Sequence, residues 1–290
     1  MNITQGCIGI SRLRLFLLLG TLFTITACSG MIFQPSNGYI YDPEKIQKIF
    51  KIKIEDVYFT NQDNLQLHGW FLPNQSGKTR GTILFLHGNG ENISSHIRNV
   101  WWLARSGYHV FMPDYRGYGF SEGEPDLEGV HRDVKAAIEW LLQRKGVDTQ
   151  KLVMYGHSLG GAIATTSLVD SPHRKHFRAL IVESSFTRYR TAAREVLGRL
   201  WLTWLFQYPL SWTIRDDYAP VEAVARISPI PVLFVNGNDD PVVESYHSRE
   251  LYEAAREPRD FWQFESDKHS VFETRERRQK LLEYLDRVLK

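Results

Sequence analysis

Six short apolar runs, at residues 82–86, 109–113, 152–155, 179–182, 231–235 and 261–264, are separated by segments with helical spacing. This alternation restricts the fold more than any other feature of the chain. Strands joined through a helix run parallel, because the helix carries the chain back to the edge it started from. A parallel sheet is stable only when helices cover both of its faces. Ahead of these runs, residues 57–60 and 65–73 flank the polar turn 61–64 and read as an antiparallel hairpin. The expectation is an α/β fold with a mostly parallel eight-stranded sheet. A chain of 290 residues with 43% hydrophobic content can bury that core in one domain, placed at residues 51–290.

One interval breaks the alternation. Between the strand ending near Glu183 and the one beginning at Pro231 the connection is too long for a simple loop and should carry helices of its own. A small helical lid insert is expected at about residues 187–229, with helical spacing from Thr191 to Phe206 and a stop at Pro209. Its aromatic residues Trp201, Trp204, Phe206, Tyr208 and Trp212 either offer an acyl or aryl surface to a site or pack the insert onto the body.

The first residues belong to a different class. Arg12 and Arg14 precede an uncharged apolar run at 15–27, too short to span a bilayer, so residues 1–27 read as a signal peptide. Its end, Ile25-Thr26-Ala27-Cys28, resembles a bacterial lipobox, in which the cysteine becomes the lipidated first residue of the mature chain. Ser29 rather than aspartate follows, which by the same resemblance implies the outer membrane. The expected product is a membrane-anchored lipoprotein on the periplasmic side, with residues 28–50 as a lipidated tether rich in Gly, Pro and Asn. Removal of the peptide also removes Cys7, so Cys28 is left without a disulfide partner in the chain.

The charge balance excludes one class of partner. With 35 Lys+Arg against 33 Asp+Glu there is no basic footprint for nucleic acid. Small molecules and a lipid surface fit better. His173 and His176 form no convincing metal motif, since acidic and cysteine ligands are missing around them and a solvated basic loop explains them. No metal and no cofactor are expected.

The chemistry is carried by Gly156-His157-Ser158-Leu159-Gly160 with Gly161, directly behind the strand at 152–155. A strand that ends in Gly-x-Ser-x-Gly and enters a helix holds its serine in a turn too tight for bulky neighbours. A nucleophilic Ser158 needs a base, an acid to orient the base, and donors for an oxyanion. In this arrangement acid and base follow the serine in that order, each behind a strand. After the strand at 231–235 the chain reads Gly237-Asn238-Asp239-Asp240-Pro241-Val242-Val243, and the spacing from Gly237 selects Asp240, with Asp239 as a turn residue. Glu183 is the alternative acid, although its place fits a structural hydrogen-bond acceptor. His269, between the last strand and a helical pattern, is the expected base, and His247 reads as a solvated helix residue. Because the imidazole must be neutral to accept a proton, activity should fall on the acid side of neutrality. The backbone N–H groups of Leu159 and of Asn89, in the loop His87-Gly88-Asn89-Gly90, are the expected oxyanion donors.

Together, His87 to Gly90, the run Asp114 to Ser121, the elbow at 156–161, Gly237-x-x-Asp240 and His269 resemble the α/β-hydrolase superfamily, and within it bacterial BEM46-like and serine aminopeptidase-like proteins. The resemblance extends over about residues 57–290. It implies that the Asp114 to Ser121 run shapes the floor of the site, with Arg116 as a structural salt-bridge partner. The expected activity is a serine hydrolase cleaving carboxylic ester or thioester bonds of a small acyl substrate through an acyl-Ser158 intermediate. A peptidase-like amide hydrolase on small substrates would use the same residues, and a non-catalytic membrane-tethered binding protein is the alternative of a different class.

Overall fold

The computed structural model describes residues 32–290 except Leu200 and Asp267. The expected signal peptide and Cys28 lie outside the described residues. Eight strands form one sheet: β1 (Glu55–Thr60), β2 (Gln66–Leu72), β3 (Gly81–Leu86), β4 (Tyr108–Pro113), β5 (Leu152–His157), β6 (Phe177–Glu183), β7 (Val232–Gly237) and β8 (Arg259–Phe264). Their spatial order is β1-β2-β4-β3-β5-β6-β7-β8. β1 and β2 pair antiparallel, as do β2 and β4, and every later pair is parallel. All eight expected strands are therefore present, most of them extended by one or two residues.

Successive side chains of a strand point to opposite faces, and the core divides accordingly. Leu84, Leu86, Met154, Leu180 and Phe234 face one side, beneath the helices Leu127–Gln143 and Leu159–Asp170. Ile83, Phe85, Val153, Ile181 and Leu233 face the other, beneath Trp101–Arg105 and Arg275–Val288. In chain order the helices used below are α1 (Pro43–Phe50), α2 (Trp101–Arg105), α3 (Leu127–Gln143), α4 (Leu159–Asp170), α5 (Tyr189–Arg199), α6 (Gln207–Ser211), α7 (Tyr246–Ala254) and α8 (Arg275–Val288). α4 is apolar nearly all round and almost wholly buried, which marks it as the central helix of its layer.

Three sequence expectations change here. The segment expected as a tether is docked from Ile32 onward: Phe33 is buried, Asn92 Nδ2 donates to the carbonyls of Ser36 and Gly38, and 43–50 is the helix α1, capped by the Asp42 carboxylate. Its Gly and Pro content sets turns against the body rather than a free spacer. Second, Pro209 does not end the insert's first helix, which stops at Arg199. Pro209 sits in the first turn of α6, where its missing N–H costs nothing because that turn has no intrahelical acceptor. Third, the five aromatic residues singled out in the insert are not buried against the body and do not line the Ser158 cavity. Trp201, Trp204, Phe206, Tyr208 and Trp212 are all more than half exposed.

Arg116 has the structural role expected of it. Its guanidinium bridges Asp133, at 2.9 and 3.0 Å, and Asp63, at 2.7 Å, with Asp126 beyond. This network ties the β4 exit to α3 and to the β1–β2 turn.

Candidate active site

β5 runs straight into α4, and Ser158 stands at the junction with φ 55° and ψ −121°. A non-glycine residue held there stores roughly 1–3 kcal/mol of backbone strain, so the neighbours must enforce it. Ser158 N–H donates to the Glu183 carbonyl at 2.8 Å, and the Ser158 carbonyl accepts from Gly161 N–H at 2.9 Å and from Ser185 Oγ at 2.8 Å. The flanking glycines make the turn possible. A Cβ on Gly156 would collide with the Gly160 carbonyl, and one on Gly160 with the Leu86 carbonyl, both backbone atoms that cannot move aside.

His269 lies on the loop between β8 and α8, and its Nδ1 is 2.8 Å from Asp240 Oδ2. The other oxygen of Asp240 accepts from Val242 N–H at 2.8 Å and Val243 N–H at 3.1 Å. Burial acts to raise the Asp240 carboxyl. The hydrogen bond and charge of His269, with the two backbone donors, outweigh it and hold the group below the usual carboxylate range. Asp240 is thus an anion placed to accept the Nδ1 proton, the tautomer that leaves Nε2 as the nitrogen able to accept from the serine. Asp239 is exposed and donates its backbone N–H to the Ser266 carbonyl, so the structure brings Asp240 and not Asp239 to His269.

His269 reaches the elbow against His157, the residue before Ser158. The His157 and His269 rings have centroids 4.6 Å apart, and the His269 carbonyl lies 3.3 Å from His157 Nε2. Among the described residues neither Ser158 Oγ nor His269 Nε2 makes a hydrogen bond. Burial pushes the His157 imidazole well below the usual histidine range, with His269 and His96 adding to it, and burial pushes His87 and His96 down to about 4. Three imidazoles around the elbow therefore stay neutral. Sequence reading passed over His157 and His96 because histidine at those positions carries no pattern.

The loop bearing Asn89 is shaped from below. Tyr115 Oη donates to the His87 carbonyl at 3.0 Å, Tyr118 Oη to Asn89 Oδ1 at 2.9 Å, and Ile93 N–H to Asp114 Oδ1 at 3.0 Å, so the Asp114 to Ser121 run does form the floor. The Asn89 side chain also accepts from Gln34 N–H and donates to the Ile32 carbonyl at 2.7 Å. Its amide side chain is spent on the N-terminal segment, while among the described residues the backbone N–H groups of Asn89 and Leu159 have no acceptor. Both residues line, with Ser158, a cavity of about 130 Å³.

The lining of that cavity is mostly apolar, with Phe186, Tyr189, Val196 and Val243 among its residues, and Glu195 and His247 add polar groups to it. His247 is the one expectation about a site histidine that fails. It is fully buried, with Nδ1 2.9 Å from Thr187 Oγ1 and Nε2 3.1 Å from Glu195 Oε2, because α5 of the insert covers α7. Glu195 also accepts from Tyr246 Oη.

Glu183 is a structural acceptor. It is buried, takes the Tyr155 hydroxyl on one oxygen and Val271 N–H at 2.7 Å on the other, and so fixes the chain two residues beyond His269. Burial lifts it from 4.5 to about 7, against the pull of those two donors. The folded state then binds more protons than the unfolded state between these values. Stability from this group is full below about 4.5 and is lost as pH rises through about 7. Urea midpoints should show Glu183→Gln gaining on wild type as pH rises from 5 to 8; a constant offset would contradict the account. Glu183→Ala, which strands both donors, should cost roughly 1–3 kcal/mol for each.

A mostly parallel eight-stranded sheet, with a strained serine at the β5–α4 junction and an Asp–His pair on the loops behind β7 and β8, defines an α/β hydrolase. The chain belongs to the α/β hydrolases, and the family model described as serine aminopeptidase, S33 matches residues 77–220. The protein YfhR of Escherichia coli K12 is 34% identical over 243 residues, covering 82% of this chain and 81% of its own. The α/β hydrolase domain-containing protein WAV2 of Arabidopsis thaliana is 33% identical over 246 residues, covering 81% and 77%. Among solved structures, the esterase Pf2001 of Pyrococcus furiosus superposes with a TM-score of 0.71 at 21% identity, covering 89% of this chain and 98% of that one.

Proposed function

We propose that the protein is a serine hydrolase that cleaves carboxylic ester or thioester bonds through an acyl-Ser158 intermediate. The observation that carries this reading is the 2.8 Å contact between His269 Nδ1 and an ionised Asp240, on a ring that lies 4.6 Å from the His157 ring of the serine elbow. His269 Nε2 takes the Ser158 proton as Oγ attacks the acyl carbon, and returns it to the leaving alcohol or thiol. Water then attacks the acyl-enzyme by the reverse path. The developing oxyanion is met by the N–H groups of Leu159 and Asn89, each worth roughly 3 kcal/mol of transition-state stabilisation in comparable sites. The acyl chain occupies the cavity between Phe186, Tyr189 and Val243.

The volume of that cavity, about 130 Å³, sets the chain length. Glu195 in its lining also disfavours a long apolar chain, because an alkyl group set against the carboxylate would desolvate it without compensation. A p-nitrophenyl ester series should show highest kcat/KM for short acyl chains and a fall towards long ones. Absence of turnover across the series by the folded protein would overturn the reading. The expected residence as a periplasmic lipoprotein anchored through Cys28 belongs to the same proposal, and a Cys28→Ser variant that keeps normal processing and membrane association would count against it.

A further inference from the structure

The insert presents an apolar surface that the protein does not use internally. Trp201 is 84% exposed, Leu205 72% and Trp212 67%, with Leu202, Trp204 and Phe206 also open. Six such side chains on one short insert leave a surface that single scattered hydrophobic residues do not make. α5 and α6 pack together, with the Arg194 guanidinium over the Tyr208 ring, so these residues belong to one folded unit.

Two features say what covers it. The first is charge: between Glu195 and Asp216 the chain carries no acidic residue, while Arg194 and Arg215 stand at its two ends and Arg199 within it. Trp, Tyr and Leu framed by arginine match the chemistry of an anionic phospholipid interface, where amphipathic rings sit at headgroup depth. The second is the path of the chain. Ile32 lines the same cavity as Ser158 and Val196, and its carbonyl is held by Asn89. Only Ser29, Gly30 and Met31 separate it from Cys28. Four residue steps reach at most about 14 Å. A lipid on Cys28 would hold the cavity mouth and the insert against the bilayer together.

The insert is also fixed to the site. Arg199 donates to the carbonyls of Pro241 at 2.8 Å and Val242 at 3.0 Å, directly behind Asp240. We propose that the stretch 196–212 is a docking surface for an anionic phospholipid bilayer, seated so that the Ser158 cavity opens towards the lipid. Resting on the hydrolase reading, this makes the substrate a membrane-borne ester whose acyl group is short enough for the cavity.

The test uses the full chain with vesicles of phosphatidylethanolamine and phosphatidylglycerol brominated on their acyl chains. Trp201, Trp204 and Trp212 are three of the eight tryptophans. The vesicles should quench wild-type emission, and the variant with these three changed to Phe, which keeps the apolar surface, should lose most of the quenchable fraction. Equal quenching of wild type and variant overturns docking, as does an unquenched wild type whose insert is covered by a second copy or by residues 1–31. A second variant, Trp201→Ser with Leu205→Ser and Trp212→Ser, should lower turnover of a vesicle-embedded ester by about tenfold or more, since each such side chain buried in lipid is worth about that factor. Its turnover of a soluble short ester should equal wild type; equal loss on both substrates overturns the proposal. Absent turnover with intact quenching would overturn the hydrolase reading and leave docking standing.

Discussion

Replacing Ser158 by alanine is expected to lower kcat by a factor on the order of 10⁵ to 10⁶, because the attacking atom is removed and the parts of such a site act as a unit. The loss should come without unfolding. Ser158 Oγ makes no hydrogen bond among the described residues, and the turn that holds the residue is built from its backbone, through Glu183, Gly161 and Ser185. Alanine meets the same strain at φ 55°, so stability should change by less than about 1 kcal/mol. A thermal melt beside steady-state kinetics on a short ester checks both halves. Activity within about tenfold of wild type would mean that another group performs the attack.

The second large effect falls on the acid. Asp240→Asn replaces an ionised acceptor with an amide that can offer N–H to His269 Nδ1, which places the imidazole proton on Nε2, the nitrogen that must accept from Ser158. A loss of about 10⁴ in kcat is expected from that tautomer change. Asp239→Asn should stay near wild type, since Asp239 is exposed and contributes only its backbone to the turn. The two variants measured side by side decide the assignment, and a larger loss at Asp239 would contradict it.

What the sequence reveals and what it conceals divide along a physical line. The strands are legible because short apolar runs rich in β-branched and aromatic residues and bounded by turns have few other uses, and the order of Ser158, Asp240 and His269 is legible because each must follow a strand. The structure accordingly moves strand ends by only one or two residues. Contacts between segments distant in sequence are a different matter. His247 looks solvated from the pattern of its own helix; its cover is Glu195, on an insert whose docking no local spacing encodes. Glu183 likewise reads as an acid behind a strand, and only the fold shows it holding Val271 N–H and the Tyr155 hydroxyl. The segment from Ile32 reads as a spacer from composition, yet the Asn89 side chain binds it to the cavity rim. The insert's aromatics are ambiguous for the opposite reason: their apolar character is plain, but the sequence does not say whether protein or another phase receives it.

The most direct test of the central claim is covalent. Incubation of the full chain with a fluorophosphonate, followed by proteolysis and mass spectrometry, should place a single phosphonyl adduct on Ser158, with Ser158→Ala unlabelled and His269→Ala labelled far more slowly. A folded wild-type protein that takes no label, or takes it at another residue, would contradict the account.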